Sequence, residues 1–98
     1  MSRPININNF LRLASQLEGK RLETEARKAP FCIKVLPAGI EITPESSGKS
    51  RIVPVNRIGR FLDEYNASRN RHPGHYQEIT FDSSYLLAIL SEGGKEDR

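Results

Sequence analysis

The chain has 98 residues, a net charge of +3 with His neutral and a pI near 9.3, with 37% hydrophobic residues, one Cys and no Trp. A chain of this length has room for one domain and one core, burying roughly 60 to 70% of the surface its unfolded form exposes. No apolar run approaches the ~20 residues of a membrane span, and residues 1–9 lack the apolar stretch of a secretion signal, so the expected setting is the cytoplasm, away from any membrane. Cys32 cannot close an internal disulfide; within its apolar run it reads as a small buried hydrophobe of a reducing compartment, with no sequence neighbour that would activate it as a nucleophile.

Asn6, Asn8 or Asn9 can cap a first helix by accepting a hydrogen bond from a free N–H of its first turn. Phe10, Leu13, Ala14 and Leu17 follow at helical spacing, and Gly19 is placed to end the helix. Lys20 to Lys28 is open to two readings. It continues the helix, or Leu22, Thr24 and Ala26 line one side of a strand. From Phe31 the period drops to two, because Phe31, Ile33 and Val35 alternate with Cys32, Lys34 and Leu36. Pro37-Ala38-Gly39 then turns the chain into a second strand, Ile40 to Thr43. After the loop Pro44 to Ser50, Arg51 to Val55 reads as a third strand, in which Pro54 has no N–H for a ladder and marks an edge or an end.

Asn56 is placed to cap a second helix whose Ile58, Phe61, Leu62 and Tyr65 form one apolar stripe, with Arg57, Arg60 and Glu64 on the other side. Gln77 to Phe81 reads as a short extended piece with Ile79 and Phe81 inward. Asp82 or Ser83 then caps a last helix through Tyr85 to Leu90, which Gly93-Gly94 would stop. That helix is apolar all round and must be covered on more than one side. Either it is a central core helix, or Tyr85, Leu86, Ile89 and Leu90 form a homodimer contact. The expected fold class is α+β: one small domain over residues 1–92, a three-stranded antiparallel meander packed with about three helices, and a disordered tail over 93–98.

Function is written less plainly. Polar, Gly, Pro and basic residues crowd into Thr43 to Arg51 and into Asn66 to Tyr76, a composition that serves turns or binding. Charge is uneven as well. Residues 49–75 hold six Lys or Arg against two Asp or Glu, whereas residues 76–98 hold two against five. A polyanion would be drawn to that middle segment if its cations share a face. Gly48-Lys49-Ser50 looks like the end of a phosphate loop, but position 43 is Thr and a strand follows instead of a helix, which argues against a nucleotide hydrolase. Ser46, Ser47, Gly48, Lys49 and Arg51 can still form a small nest for a phosphate, or simply a solvated turn. His72 and His75 fall short of the three or four ligands of a zinc site. Arg57, Arg60, Arg69 and Arg71 can track phosphates, with Tyr65 and Tyr76 as stacking faces; equally, Arg60 can pair with Glu64, and Tyr65 continues the buried stripe. Neither the carboxylates Glu45, Asp63, Glu64, Glu78 and Asp82 nor the serines lie in a catalytic signature. The expectation is a nonenzymatic module without cofactor or metal, contacting a polyanion, nucleic acid foremost, through Ser46, Ser47, Gly48, Lys49, Arg51, Arg57, Arg60, Arg69, Arg71, His72 and His75. The rival is a homo-oligomeric or partner-binding protein using the last helix.

Four stretches, Ser46 to Lys49, Phe61 to Asn66, Pro73 to Tyr76 and Thr80 to Ile89, resemble small uncharacterised bacterial proteins of mobile elements such as integron gene cassettes. The resemblance spans Ser46 to Ile89. It implies a bacterial cytoplasmic accessory protein and carries over no catalytic or binding residue.

Overall fold

The computed structural model describes residues 4–96. Its elements are α1 (Ile7–Gln16), β1 (Leu22–Glu23), β2 (Pro30–Leu36), β3 (Gly39–Pro44), β4 (Arg51–Pro54), α2 (Val55–Ser68), a 3-10 helix (Pro73–Tyr76) and α3 (Ser83–Glu96). The strands form one antiparallel sheet in the order β1-β2-β3-β4. The domain is α+β with three α-helices, as expected, but the sheet has four strands where the meander was read as three. The extra strand comes from the ambiguous Lys20 to Lys28 stretch. Leu22 and Thr24 point inward, while Ala26 is exposed in the following turn. Thr24 closes that turn: its N–H donates to the Ala29 carbonyl at 3.1 Å, its carbonyl accepts the Lys28 N–H at 3.0 Å, and its hydroxyl accepts the Ala29 N–H at 3.1 Å.

The two-residue alternation of β2 and β3 turns Phe31, Ile33, Ile40 and Ile42 into the core. Cys32 is on the opposite face and is exposed, which corrects its reading as a buried hydrophobe. The reason is the pleat itself: residues flanking an inward Phe31 and Ile33 must point outward. At the β2–β3 turn, Gly39 is required by close approach. A Cβ there would lie 2.0 Å from the Val53 carbonyl oxygen of β4. Edge pairing is blunted at both sides. The Glu18 carboxylate accepts the Val35 N–H at 2.8 Å beyond the short β1, and Pro54 removes a donor from β4.

Asn6 supplies the cap of α1, its Oδ1 accepting the Asn9 N–H at 2.8 Å. β4 runs directly into α2, so Asn56 falls inside the helix and the cap position is Pro54, which offers no side-chain bond. The stripe of Ile58, Phe61, Leu62 and Tyr65 is buried as read from the sequence. Asn66 continues the tertiary role of α2 by exchanging two 2.9 Å hydrogen bonds with the Ile5 backbone, holding the N-terminal segment as a strand partner would.

The apolar run Leu86 to Leu90 of α3 lies in the core of the domain. Leu86, Leu87, Ala88, Ile89 and Leu90 are all buried within one chain, each large side chain contributing about 1.5 to 3 kcal/mol. The surface proposed for a homodimer is therefore largely unavailable: Leu86, Ile89 and Leu90 are covered by the chain's own elements, and Tyr85 is half-buried, edge-on to Phe31 at 4.9 Å. The helix does not stop at Gly93-Gly94, and it continues to Glu96. Gly93 lies where α3 packs on α1, since a Cβ there would meet the Leu13 side chain at 3.0 to 3.2 Å. It is a spacer for helix packing. Of the expected tail, residues 97 and 98 lie outside the described residues.

Candidate anion-binding surface

The two polar clusters have different fates, decided by backbone geometry. Arg69 closes α2 in the left-handed conformation, φ +56, and its N–H donates to the Tyr65 carbonyl at 2.7 Å. The reversal carries Arg71 back across Tyr65 onto α3. There its guanidinium donates to the Tyr65 hydroxyl at 3.1 Å, to the Leu87 carbonyl at 3.4 Å, to the Ser91 hydroxyl and to the Glu25 carboxylate. Partial burial opposes the Arg71 charge, but the bonds to Tyr65 and Glu25 outweigh it and hold the guanidinium above its ordinary range. Arg71 is a clasp that joins α2, α3 and the β1–β2 turn, not a free phosphate contact. Arg69 lies over the Tyr65 ring at 5.2 Å, and His75 Nε2 is 2.7 Å from a Glu64 carboxylate oxygen. Pro73 and Gly74 form the 3-10 turn between the two histidines.

The loop after β3 is also self-satisfied. Gly48, at φ +67, donates its N–H to the Pro44 carbonyl at 2.8 Å, and the Lys49 N–H donates to the Ser47 hydroxyl at 3.2 Å. The Thr43 and Ser50 hydroxyls bond each other at 2.7 Å. Arg21 hydrogen-bonds Glu45 at 2.8 Å and holds that carboxyl below its ordinary range. Two of the amides that a phosphate nest would need are thus turned into the loop, and Ser46, Ser47 and Gly48 act in turn geometry. The Lys49 side chain faces solvent.

Arg57 and Arg60 remain. They project from the first two turns of α2 into a groove of about 520 Å3 whose far wall is the turn Gln77 to Phe81. Both are exposed, and among the described residues neither has an ion pair. Glu64, the sequence-based partner of Arg60, is occupied by His75. Phe81 stands at the rim of this groove and is 78% exposed, contrary to its reading as an inward residue. Residues 77–82 are successive turns, not an extended piece, so the inward position passes to Thr80.

The turn that carries Phe81 is pinned on both sides. The Ile79 and Thr80 N–H groups donate to the Tyr76 carbonyl at 2.8 and 2.9 Å, and the Asp82 N–H donates to the Thr80 hydroxyl at 3.1 Å. The buried Ser83 hydroxyl donates to the Pro73 carbonyl at 2.9 Å, and Arg51 Nε lies 3.1 Å from Asp82 Oδ1. Phe81 is therefore held outward by its neighbours. The two tyrosines nominated for stacking are core residues instead, Tyr65 being 8% and Tyr76 0% exposed. The signal for Phe81 was local: a Thr hydroxyl that bonds the backbone two residues on makes a turn and breaks the strand alternation.

The six cations thus separate into two groups. Arg51, Arg57 and Arg60 adjoin the turn of residues 79–82, with Lys49 two residues before Arg51, whereas Arg69 and Arg71 are engaged around Tyr65 and α3. His72 lines a larger cleft of about 590 Å3 with Arg71, Ser84 and Tyr85, where the Arg71 donors are already engaged. Among the described residues no three His, Cys, Asp or Glu side chains are grouped to hold a metal ion, and no helix is long and apolar enough to cross a membrane. Comparison with protein-family models, with curated proteins and with solved structures finds no match to this chain.

Proposed function

We propose that the protein is a nonenzymatic binding module for a polyanion, nucleic acid foremost, and that its contact surface is the α2 groove with Arg57, Arg60 and Phe81, extended by Arg51 and Lys49. The observation that carries this reading is the pair of arginines without carboxylate partners beside an aromatic ring held in solvent. Guanidinium groups without an internal partner keep their donors for phosphate oxygens. Arg69, Arg71 and His75 are left out of this surface because their partners are Tyr65, Glu64, Glu25 and α3, whereas Arg51, although paired with Asp82, is joined to the turn that carries Phe81; Ser46, Ser47 and Gly48 serve the loop turn. The free thiol of Cys32 suits a reducing, cytoplasmic setting, in line with a bacterial accessory protein.

Fluorescence anisotropy of labelled single-stranded DNA, duplex DNA and RNA, at low and physiological salt, tests the reading. Binding should weaken with salt and fall at least tenfold in Arg57→Ala/Arg60→Ala, with no loss of folding. Absence of binding to all three at low salt would end the proposal.

A further inference from the structure

We infer that the partner of this surface is an unpaired nucleic-acid strand, one of whose bases stacks on Phe81; this rests on the polyanion reading above and narrows it. A side chain as large as Phe gains nothing from folding when it is 78% exposed, yet the turn beneath it is fixed by the buried Thr80 and Ser83 and by the Arg51–Asp82 ion pair. The backbone that carries the ring is thus fixed beside the groove. Bases inside a duplex have their faces covered by their neighbours, so away from duplex ends only an unpaired base can offer a face to such a ring. Arg57 and Arg60 are three residues apart on one helix face, with Cβ atoms about 5 to 6 Å apart, a spacing that lets both reach phosphates of the same strand.

Glu78, which also lines the groove, sharpens the choice of partner. Its carboxylate repels a bare phosphate in that corner, but it can accept a hydrogen bond from the exocyclic amino group of a base. A groove with two cations at one wall, a carboxylate and a phenyl ring at the other fits a strand whose phosphates and bases lie on opposite sides. A featureless polyanion satisfies only half of it.

The chain contains no Trp, so Phe81→Trp installs a single reporter at the site. The variant is titrated with a 12-nucleotide single strand, with the same sequence as a blunt duplex and with inorganic polyphosphate. Anisotropy is followed in parallel with wild type, Phe81→Ala, Phe81→Leu and Arg57→Ala/Arg60→Ala. The single strand should quench Trp emission, the duplex and polyphosphate should not, and Phe81→Ala and Phe81→Leu should each weaken single-strand binding about tenfold, which is about 1.4 kcal/mol. Equal quenching by strand and duplex, or Phe81→Leu binding as wild type does, would overturn the stacking inference. Arg-dependent binding with no quenching would overturn it while leaving the polyanion reading in place. If no probe binds in an Arg57/Arg60-dependent way, both fall.

Discussion

Replacing Arg71 by Ala should damage the fold and leave the binding surface alone, the reverse of what its position in a basic stretch suggests. The side chain donates to Tyr65, Leu87, Ser91 and Glu25, linking α2, α3 and the β1–β2 turn. The ion pair with Glu25 is partly exposed, at 39% and 47% for the two side chains, so it contributes only about 0 to 1 kcal/mol after solvent screening. The three remaining bonds contribute about 0.5 to 1.5 kcal/mol each when well made; the 3.4 Å bond to Leu87 is weak, which leaves about 2 kcal/mol in all. For a domain of this length that lowers Tm by roughly 8 to 16 °C. Arg71→Lys keeps the charge but loses the planar fork, so it should recover less than half of the loss. Urea unfolding followed by circular dichroism gives both numbers. A loss below about 0.5 kcal/mol in Arg71→Ala, or Arg71→Lys matching wild type, would refute the clasp. So would a folded Arg71→Ala protein that had lost nucleic-acid binding.

Three further outcomes follow from the geometry. Gly39→Ala should prevent folding or lower Tm by far more than any surface change, because its Cβ would overlap the Val53 carbonyl, whereas Gly59→Ala, with nothing within 4 Å of its Cβ inside α2, should stabilise by about 0.5 to 1 kcal/mol; thermal melts of both decide it, and a tolerated Gly39→Ala would contradict the β3–β4 register. Burial raises the Tyr76 phenol above its ordinary value of 10, so the folded state holds its proton longer than the unfolded one; the resulting stability is complete below pH 10 and is lost as pH rises through the raised folded value. Tyr76→Phe should therefore cost about 1 kcal/mol at neutral pH, through the lost bond to the Asn70 carbonyl, yet show a flatter decline in alkali. Parallel urea midpoints for the two proteins from pH 7 to pH 11 would sink that account. Cys32 should react fully with a thiol reagent in the native protein, and protection until unfolding would show that the outer face of the sheet is covered.

Much of the fold was legible because period and burial agree. The stripe Ile58, Phe61, Leu62, Tyr65 and the alternation Phe31, Ile33 each name one face, and the face is the buried one. The run Leu86 to Leu90 of α3 is covered on more than one side within the chain itself, by core residues of α1, α2 and the sheet such as Phe10, Phe61, Phe31 and Ile42. What failed was local. Asn56 looked like a cap because loops usually separate strand from helix, but here Pro54 ends β4 and begins the approach to α2 in one residue. For Phe81 the alternation points inward only if it is extended across the turn that Thr80 makes. Gly93 has the look of a helix stop, but a glycine inside a helix can equally mark a close helix crossing, as it does here against Leu13.

Charge was the least legible feature, since a count along the chain takes no account of which side chains the fold engages. Residues 49–75 hold six basic side chains, but Arg69, itself left-handed, and Arg71 are engaged around Tyr65, and Arg51 is partly offset by Asp82. The salt dependence of binding measures the difference. For a single strand, the slope of log K against log salt is about −0.7 per neutralised phosphate, so all six cations would give about −4.2. Arg57 and Arg60 alone give about −1.4, and adding Lys49 and Arg51 brings it to at most about −2.8. A slope between the last two values, moving by about 1.4 in Arg57→Ala/Arg60→Ala and hardly at all in Arg71→Lys, is what this arrangement predicts. A slope near −4 would mean that Arg69 and Arg71 leave their internal partners on binding, and the division of the basic segment into a contact surface and a structural clasp would be wrong.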